Sequence, residues 1–186
     1  MEIMNTPIPG LKVIKPDVFA DPRGYFFESF NEEKLRNAGI SLPFVQDNES
    51  LSSRGVIRGL HYQLSPFSQS KLVRVVQGEV FDVAVDLRKG SPSFGKWFGL
   101  ELSGKNKLQL LIPKGFAHGF SVLSPTVIFA YKCDQFYHRS AERSIRFNDP
   151  FLHIDWKISE DEWNISEKDR IAPLFSGAEM NFEYDL

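Results

Sequence analysis

The sequence contains one cysteine, Cys133, in 186 residues, so an intrachain disulfide is impossible. Cys133 lies in an apolar stretch and reads as an inert buried thiol. No apolar run approaches the roughly 18 residues that a membrane span requires. The opening Met1-Glu-Ile-Met-Asn-Thr-Pro7 has neither a basic region nor an apolar core, so no signal peptide is expected. Together these absences favour the cytoplasm. An excess of one charge sign is also missing. The 22 basic and 24 acidic side chains leave a formal net charge of −2, which excludes a general nucleic-acid binder but leaves room for a local phosphate site. Repeats, low-complexity tracts and linkers are absent. Residues 1–186 are therefore read as one domain, long enough for a real core and short for two.

Strand signals are plentiful. Leu72–Val76 and Val80–Leu87 alternate or run apolar, with Gln77-Gly78-Glu79 as the turn between them. Further strands are expected at Leu11–Pro16, Tyr25–Phe30, Val56–Gln63, Trp97–Leu102, Leu108–Ile112, Gly119–Leu123, Val127–Cys133 and Ser144–Phe147. Loop chemistry separates them at Asp21-Pro-Arg-Gly24, Lys89-Gly-Ser-Pro92, Ser103-Gly-Lys-Asn106 and Ser124-Pro125. Many short strands so punctuated argue for a sandwich or barrel. Helices are few. Glu32–Ala38 is expected as one, capped by Asn31 and ended by Gly39, and Ser166-Glu-Lys-Asp169 could open another. Phenylalanine is frequent, at 17; most will be core, and some could stack on a flat ligand.

Two segments carry candidate chemistry: Gly55-Val-Ile-Arg-Gly-Leu-His61-Tyr-Gln63 and Pro113-Lys-Gly-Phe-Ala-His118. Gly-x5-His followed by Pro-x-Gly-x-x-His resembles the paired motifs of the cupin superfamily, which implies an all-β, double-sheet jelly-roll barrel with a few short flanking helices. Metal-binding cupins continue the first motif as His-x-His; here Gln63 replaces the second histidine, and Lys71 follows. Two histidines, an amide and a nearby ammonium make a poor site for a divalent ion, so no metal is expected. The same groups suit proton transfer, with histidine as a base near neutral pH. Taken singly, each residue has a plainer reading. His61 and His118 could be hydrogen-bonded structural histidines, and Tyr131 a core residue. Asp169 could be the acid of a capping box begun by Ser166, and Arg23 a solvated turn residue. Lys71 shares a strand face with Val73 and Val75, so it either snorkels at the strand end or points into a pocket. His138 and His153 have no motif support and read as surface or packing residues.

The combination is more specific than its parts. The chain resembles the dTDP-4-dehydrorhamnose 3,5-epimerase family from about residue 5 to about residue 175. The matching strings are Asp21-Pro-Arg-Gly24 with Phe26 and Glu28, Phe44-Val-Gln-Asp-Asn48, Arg58-Gly-Leu-His-Tyr-Gln63 and Lys71 through Val83. They continue as Pro113 through Phe120, Tyr131-Lys-Cys133, Ile145 through Pro150, and Ser166-Glu-Lys-Asp169. Ser65 through Ser70 is a little unlike the usual family form, which bears only on local loop shape.

The resemblance implies His61 as the base, paired with Asp169; Tyr131 as the opposing acid; and Lys71 as the group that steadies the enolate oxygen. It aligns His118, Arg23, Glu28, Gln46, Asn48, Arg58, Glu142 and Lys168 with substrate contacts. Phe19, Phe26 and Tyr137 fall where rings would flank the nucleotide. The implied substrate is a dTDP-linked 4-keto-6-deoxysugar and the implied reaction needs no cofactor. The implied setting is dTDP-L-rhamnose biosynthesis for cell-surface polysaccharide. A homodimer is also implied, with an N-terminal segment reaching the neighbour's site. Three other readings compete: a metal-dependent cupin oxygenase, a non-catalytic sugar-binding barrel, and a relative that inverts only C3 or only C5.

Overall fold

The structure, a computed structural model, describes residues 1–184, so the last two positions of the expected domain lie outside the described residues. The chain opens with β1 (Glu2–Asn5), β2 (Lys12–Lys15), β3 (Val18–Asp21), β4 (Gly24–Phe27) and helix α1 (Glu32–Asn37). The central run is β5 (Gln46–Ser53), β6 (Val56–Gln63), β7 (Lys71–Gln77), β8 (Glu79–Asp86) and β9 (Trp97–Ser103). Then come β10 (Gln109–Ile112), β11 (Phe116–Val122), β12 (Thr126–Cys133), β13 (Glu142–Ser144), β14 (Asn164–Ile165) and helix α2 (Glu167–Arg170).

Two sheets form the barrel. One runs β1-β2-β10-β7-β12-β5; the other runs β13-β6-β11-β8-β9, with β14 added to β6. The β3–β4 hairpin stands apart from both. This is the all-β, double-sheet architecture that the motifs implied.

Alternation explains the layers. Val73 and Val75 of β7 and Val127 and Phe129 of β12 face inward, against Val80 and Ala84 of β8 and Phe116, Phe120 and Val122 of β11. The opposite face of the second sheet, with Phe81, Val83, Val85 and Ala117, is covered by Ile145, Phe147, Leu152, Trp156 and Phe182. Strand β8 is thus buried on both faces, which is why its sequence reads as a nearly continuous apolar run. The outer face of the first sheet, with Ile14, Leu72 and Leu111, is covered by Leu35 of α1 and Ile40.

Several expectations shift. Strand β4 ends at Phe27 rather than Phe30, β11 starts at Phe116 rather than Gly119, and β13 covers Glu142–Ser144 rather than Ser144–Phe147. Strands β1, β3, β5 and β14 were not expected. The clearest physical case is β5, Gln-Asp-Asn-Glu-Ser-Leu-Ser-Ser. It alternates in burial but not in polarity, because its inward residues Gln46 and Asn48 face a polar cavity rather than the apolar core. Both helices form close to their expected places. Asn31 Oδ1 accepts the Lys34 amide at 3.0 Å, and Ser166 Oγ accepts the Asp169 amide at 3.2 Å.

Candidate active site

One end of the barrel interior is polar. Odd positions of β7 and β12 face inward, so the alternation that buries Val73 and Phe129 also brings Lys71, Tyr131 and Cys133 to this end. His61 reaches it by a less regular route. Ile57 and Leu60 of β6 both pack in the outer cluster although they are three residues apart, so the strict period of two is broken between them. The register of β6 against β11 shifts at the same place. Without that irregularity, His61 would share the outward face of Ile57. Gly59, with φ 129, makes the shift possible: a Cβ there would lie 2.6 Å from Gly119 Cα. Beyond the irregularity His61 stands opposite His118 across the ladder, and both rings point inward.

His61 Nε2 lies 2.6 Å from Asp169 Oδ1, and the Asp169 side chain is 5% exposed. Burial works to raise the Asp169 pKa, but the hydrogen bond and charge of His61, the Gly59 amide and Ser166 outweigh it and hold the carboxyl below its ordinary value. The ionised carboxylate fixes the ring, with Nε2 as the donor and Nδ1 as the nitrogen left to take a proton. Asp169 is therefore both the capping-box acid of α2 and the partner of His61.

Lys71 extends into the cavity with its Nζ 5.9 Å from the centre of the Tyr131 ring. Burial lowers its pKa, against opposing pulls from Cys133, Asp82 and Glu142. Burial likewise raises the Tyr131 pKa, so its phenol stays protonated at neutral pH. His118 is buried, its Nε2 2.9 Å from Asp82 Oδ2. Its pKa is lowered by burial, which prevails over the support from Asp82.

The cavity, of about 120 Å³, is lined by His61, Lys71, Tyr131, Gln46, Asn48, Tyr137 and Glu142, with Tyr62, Gln63, Gln69 and Cys133 completing the wall. Gln46 donates to Asn48 Oδ1 at 3.0 Å and accepts the Tyr137 amide at 2.9 Å. Glu142 accepts from the Tyr137 hydroxyl at 3.1 Å and pairs with Lys168 at 2.6 Å. Burial opposes ionisation of Glu142, but Lys168 and Tyr137 hold its pKa below the ordinary value. A second depression meets the first at His61 and carries Arg58, Lys168 and Asp169.

Of the implied contacts, His118 is buried and lines neither depression, and four more lie elsewhere in the chain. Phe19, Arg23 and Phe26 line a separate surface cavity on the β3–β4 hairpin. Glu28, just beyond the hairpin, pairs with Lys34 at 2.8 Å. Arg23 is engaged with Asp21 at 2.6 Å. Sequence reasoning passed over Gln69 and Asp82. It also read Cys133 only as a core thiol, whereas the cavity wall includes it. The signal was present, since Cys133 is two residues from Tyr131 and shares its strand face. Burial pushes the thiol pKa up to about 11, so it stays neutral, and Asn48 donates to its sulfur at 3.8 Å. His138 stacks on Phe67 at 3.7 Å between ring centres, the packing alternative of the two readings given for it.

Gln63, where a metal-binding cupin has its second histidine, donates to the Phe67 and Phe136 carbonyls and accepts the His138 amide. Each cupin-motif histidine pairs with its own carboxylate instead of converging on a shared point. Among the described residues no group of three or more His, Cys, Asp or Glu side chains is placed to hold a metal ion.

Fold and site together define a cupin-type barrel equipped for proton transfer at a small polar cavity. A family model described as dTDP-4-dehydrorhamnose 3,5-epimerase matches residues 5–177, and the chain belongs to that family. The dTDP-4-dehydrorhamnose 3,5-epimerase of Shigella flexneri is 52% identical over 180 residues, which span 96% of this chain and 98% of that one. The crystal structure of dTDP-6-deoxy-D-glucose-3,5-epimerase from Legionella pneumophila Philadelphia 1, in complex with dTDP-4-keto-L-rhamnose, superposes with a TM-score of 0.95. It is 51% identical and covers 100% of this chain and 99% of its own. A 3'-monoepimerase from Streptomyces bikiniensis, solved with dTDP-quinovose, shares the fold at TM-score 0.87 and 32% identity, covering 93% of this chain and 87% of its own.

Proposed function

We propose that this chain inverts both C3 and C5 of dTDP-4-dehydro-6-deoxy-D-glucose to give dTDP-4-dehydro-L-rhamnose, without a cofactor. The observation that carries the reading is the convergence of an Asp169-paired His61, a lysine and a protonated tyrosine on one cavity. The C4 ketone acidifies the hydrogens on its two neighbouring carbons. His61 takes one of these protons at Nδ1, and the electron pair moves onto the C4 oxygen. Lys71 donates a hydrogen bond to that oxygen, a preorganised contact worth about 3–4 kcal/mol in a water-poor site. Tyr131 then returns a proton to the opposite face, and the ketone reforms. Positioned acid–base groups of this kind contribute about 10²–10⁴-fold. The ketone is itself the electron sink, so no redox partner is needed; solvent water takes the proton from His61 and returns one to Tyr131, which closes the proton balance.

The cavity of about 120 Å³ is well below the roughly 300–1,000 Å³ usual for a complete ligand site. It suits the reacting sugar, with the nucleotide lying outside. We assign the grip on the diphosphate to Arg58 and Lys168, which line the depression beside His61. We assign the remaining contacts, Phe19, Arg23, Phe26 and Glu28, to the hairpin of a second copy in a homodimer. The hairpin's exposed apolar residues, Val18, Phe19, Tyr25 and Phe26, support that assignment. The reading extends to a cytoplasmic enzyme of one domain, working in rhamnose synthesis for cell-surface polysaccharide.

The likeness to a 3'-monoepimerase keeps a C3-only reaction as the second reading. Incubation with the 4-keto-6-deoxyglucose nucleotide in D₂O separates the two. Deuterium and inversion at both carbons are expected; inversion confined to C3 would establish the second reading.

A further inference from the structure

A residue outside the cavity holds the hairpin in place. Lys107 closes the turn between β9 and β10, with φ 57 and 8% of its surface exposed. Its Nζ donates to the Tyr25 hydroxyl at 2.8 Å, which is its one side-chain hydrogen bond among the described residues. The same ammonium lies 4.1 Å from the centre of the Tyr25 ring and 5.6 Å from that of Phe27. Two aromatic faces thus receive a charge that burial would ordinarily pair with a carboxylate. The base from which it springs is stitched together. Asn106 Oδ1 accepts the amides of Ser103 and Leu108, and Ser103 Oγ accepts that of Asn106.

The hairpin needs such a tether. Among the described residues strands β3 and β4 pair only with each other, and an isolated two-stranded ribbon is marginal in water. A second anchor, from Gln109 Nε2 to the Ser29 carbonyl at 2.9 Å, holds only its C-terminal root. We propose that Lys107 is a positioning residue for nucleotide binding: by clamping Tyr25 and Phe27 it sets the hairpin so that Phe19, Arg23 and Phe26 are presented ready for the nucleoside diphosphate. The proposal rests on the reading of the hairpin as the nucleotide-side arm of a neighbouring site.

The test uses the full-length enzyme and Lys107→Met. Backbone amides of residues 18–27 should exchange hydrogen faster. KM for the 4-keto-6-deoxyglucose nucleotide and Kd for dTDP should each rise roughly tenfold, or about 1.4 kcal/mol. Turnover at saturation should stay within about twofold, since the interactions lost bind substrate and transition state alike. Lys107→Arg keeps the charge, a donor and the ring contacts, and should restore most of the affinity. Should Lys107→Met fold poorly, Tyr25→Phe removes the hydrogen-bond acceptor alone and should give a smaller shift of the same sign. Arg23→Ala separates the clamp from the reading beneath it. If Arg23→Ala weakens dTDP binding while Lys107→Met leaves exchange and KM unchanged, the clamp is wrong and the hairpin's role stands. If Arg23→Ala has no effect on KM or Kd, the hairpin's role fails and the clamp's functional meaning goes with it.

Discussion

Replacing Lys71 with methionine should move activity and stability in opposite directions. Methionine has a similar length and flexibility but no charge. Lys71 Nζ sits over Tyr131 in the cavity, where burial holds its pKa below the ordinary 10.5. The folded state therefore binds this proton less tightly than the unfolded chain does. Each tenfold weakening of proton binding corresponds to about 1.4 kcal/mol of stability lost at pH values where both states hold the proton. That penalty is fully present below the folded-state pKa and fades as pH rises toward the unfolded value. Lys71→Met removes it, so Tm should rise, by roughly 2–4 °C for each 1 kcal/mol recovered in a protein of this size. The variant also loses the donor to the enolate oxygen, so turnover should fall about 10²–10³-fold, with exchange slowed at both carbons. On the proposed mechanism the Lys71 ammonium is the active form, so turnover should decline with rising pH through a value below 10.5. Thermal melts at pH 7 and pH 9.5, beside initial rates at the same pH values, make the check. A Tm that drops on substitution, or a rate loss below tenfold, would refute the picture of an ammonium kept unpaired for catalysis.

His61→Ala should abolish deuterium wash-in at both C3 and C5, because no enolate forms without the base; NMR of the substrate in D₂O reads this directly. Tyr131→Phe keeps the ring packing and removes the acid. Inversion should fall sharply at the carbon it serves, which the family resemblance suggests is C5, while some wash-in through His61 persists. Inversion of both centres at the parent rate would overturn the two-face mechanism. Gly59→Ala brings a Cβ to 2.6 Å from Gly119 Cα at a φ of 129, and should cost roughly 3 kcal/mol, or a Tm drop of about 6–12 °C. Light scattering at micromolar concentration should report a dimer; a monomer that retains full activity would remove the hairpin from the neighbour's site.

Local chemistry made much of this protein legible from its sequence. The periods of β7, β8 and β12 gave the layers, and the capping residues Asn31 and Ser166 marked both helices. The paired histidine motifs, with Gln63 and Lys71, turned the chemistry away from metal and toward protons. Strand parity alone put Lys71 on the Val73 face. Three features lay beyond reach because they depend on contacts between distant segments. Strand β5 carries no apolar alternation, since the face it buries lines a polar cavity formed by β6, β7 and β12. The inward turn of His61 depends on a register shift that Gly59 and Gly119 share across two strands, and strict alternation along β6 points the ring the wrong way. The separation of Arg23, Phe19 and Phe26 from the cavity of their own chain follows from where the hairpin packs, against Lys107 and away from His61. Sequence determines what each strand face offers, because side-chain direction is a local property of the backbone. Which faces meet was settled only by the closing of the sheets.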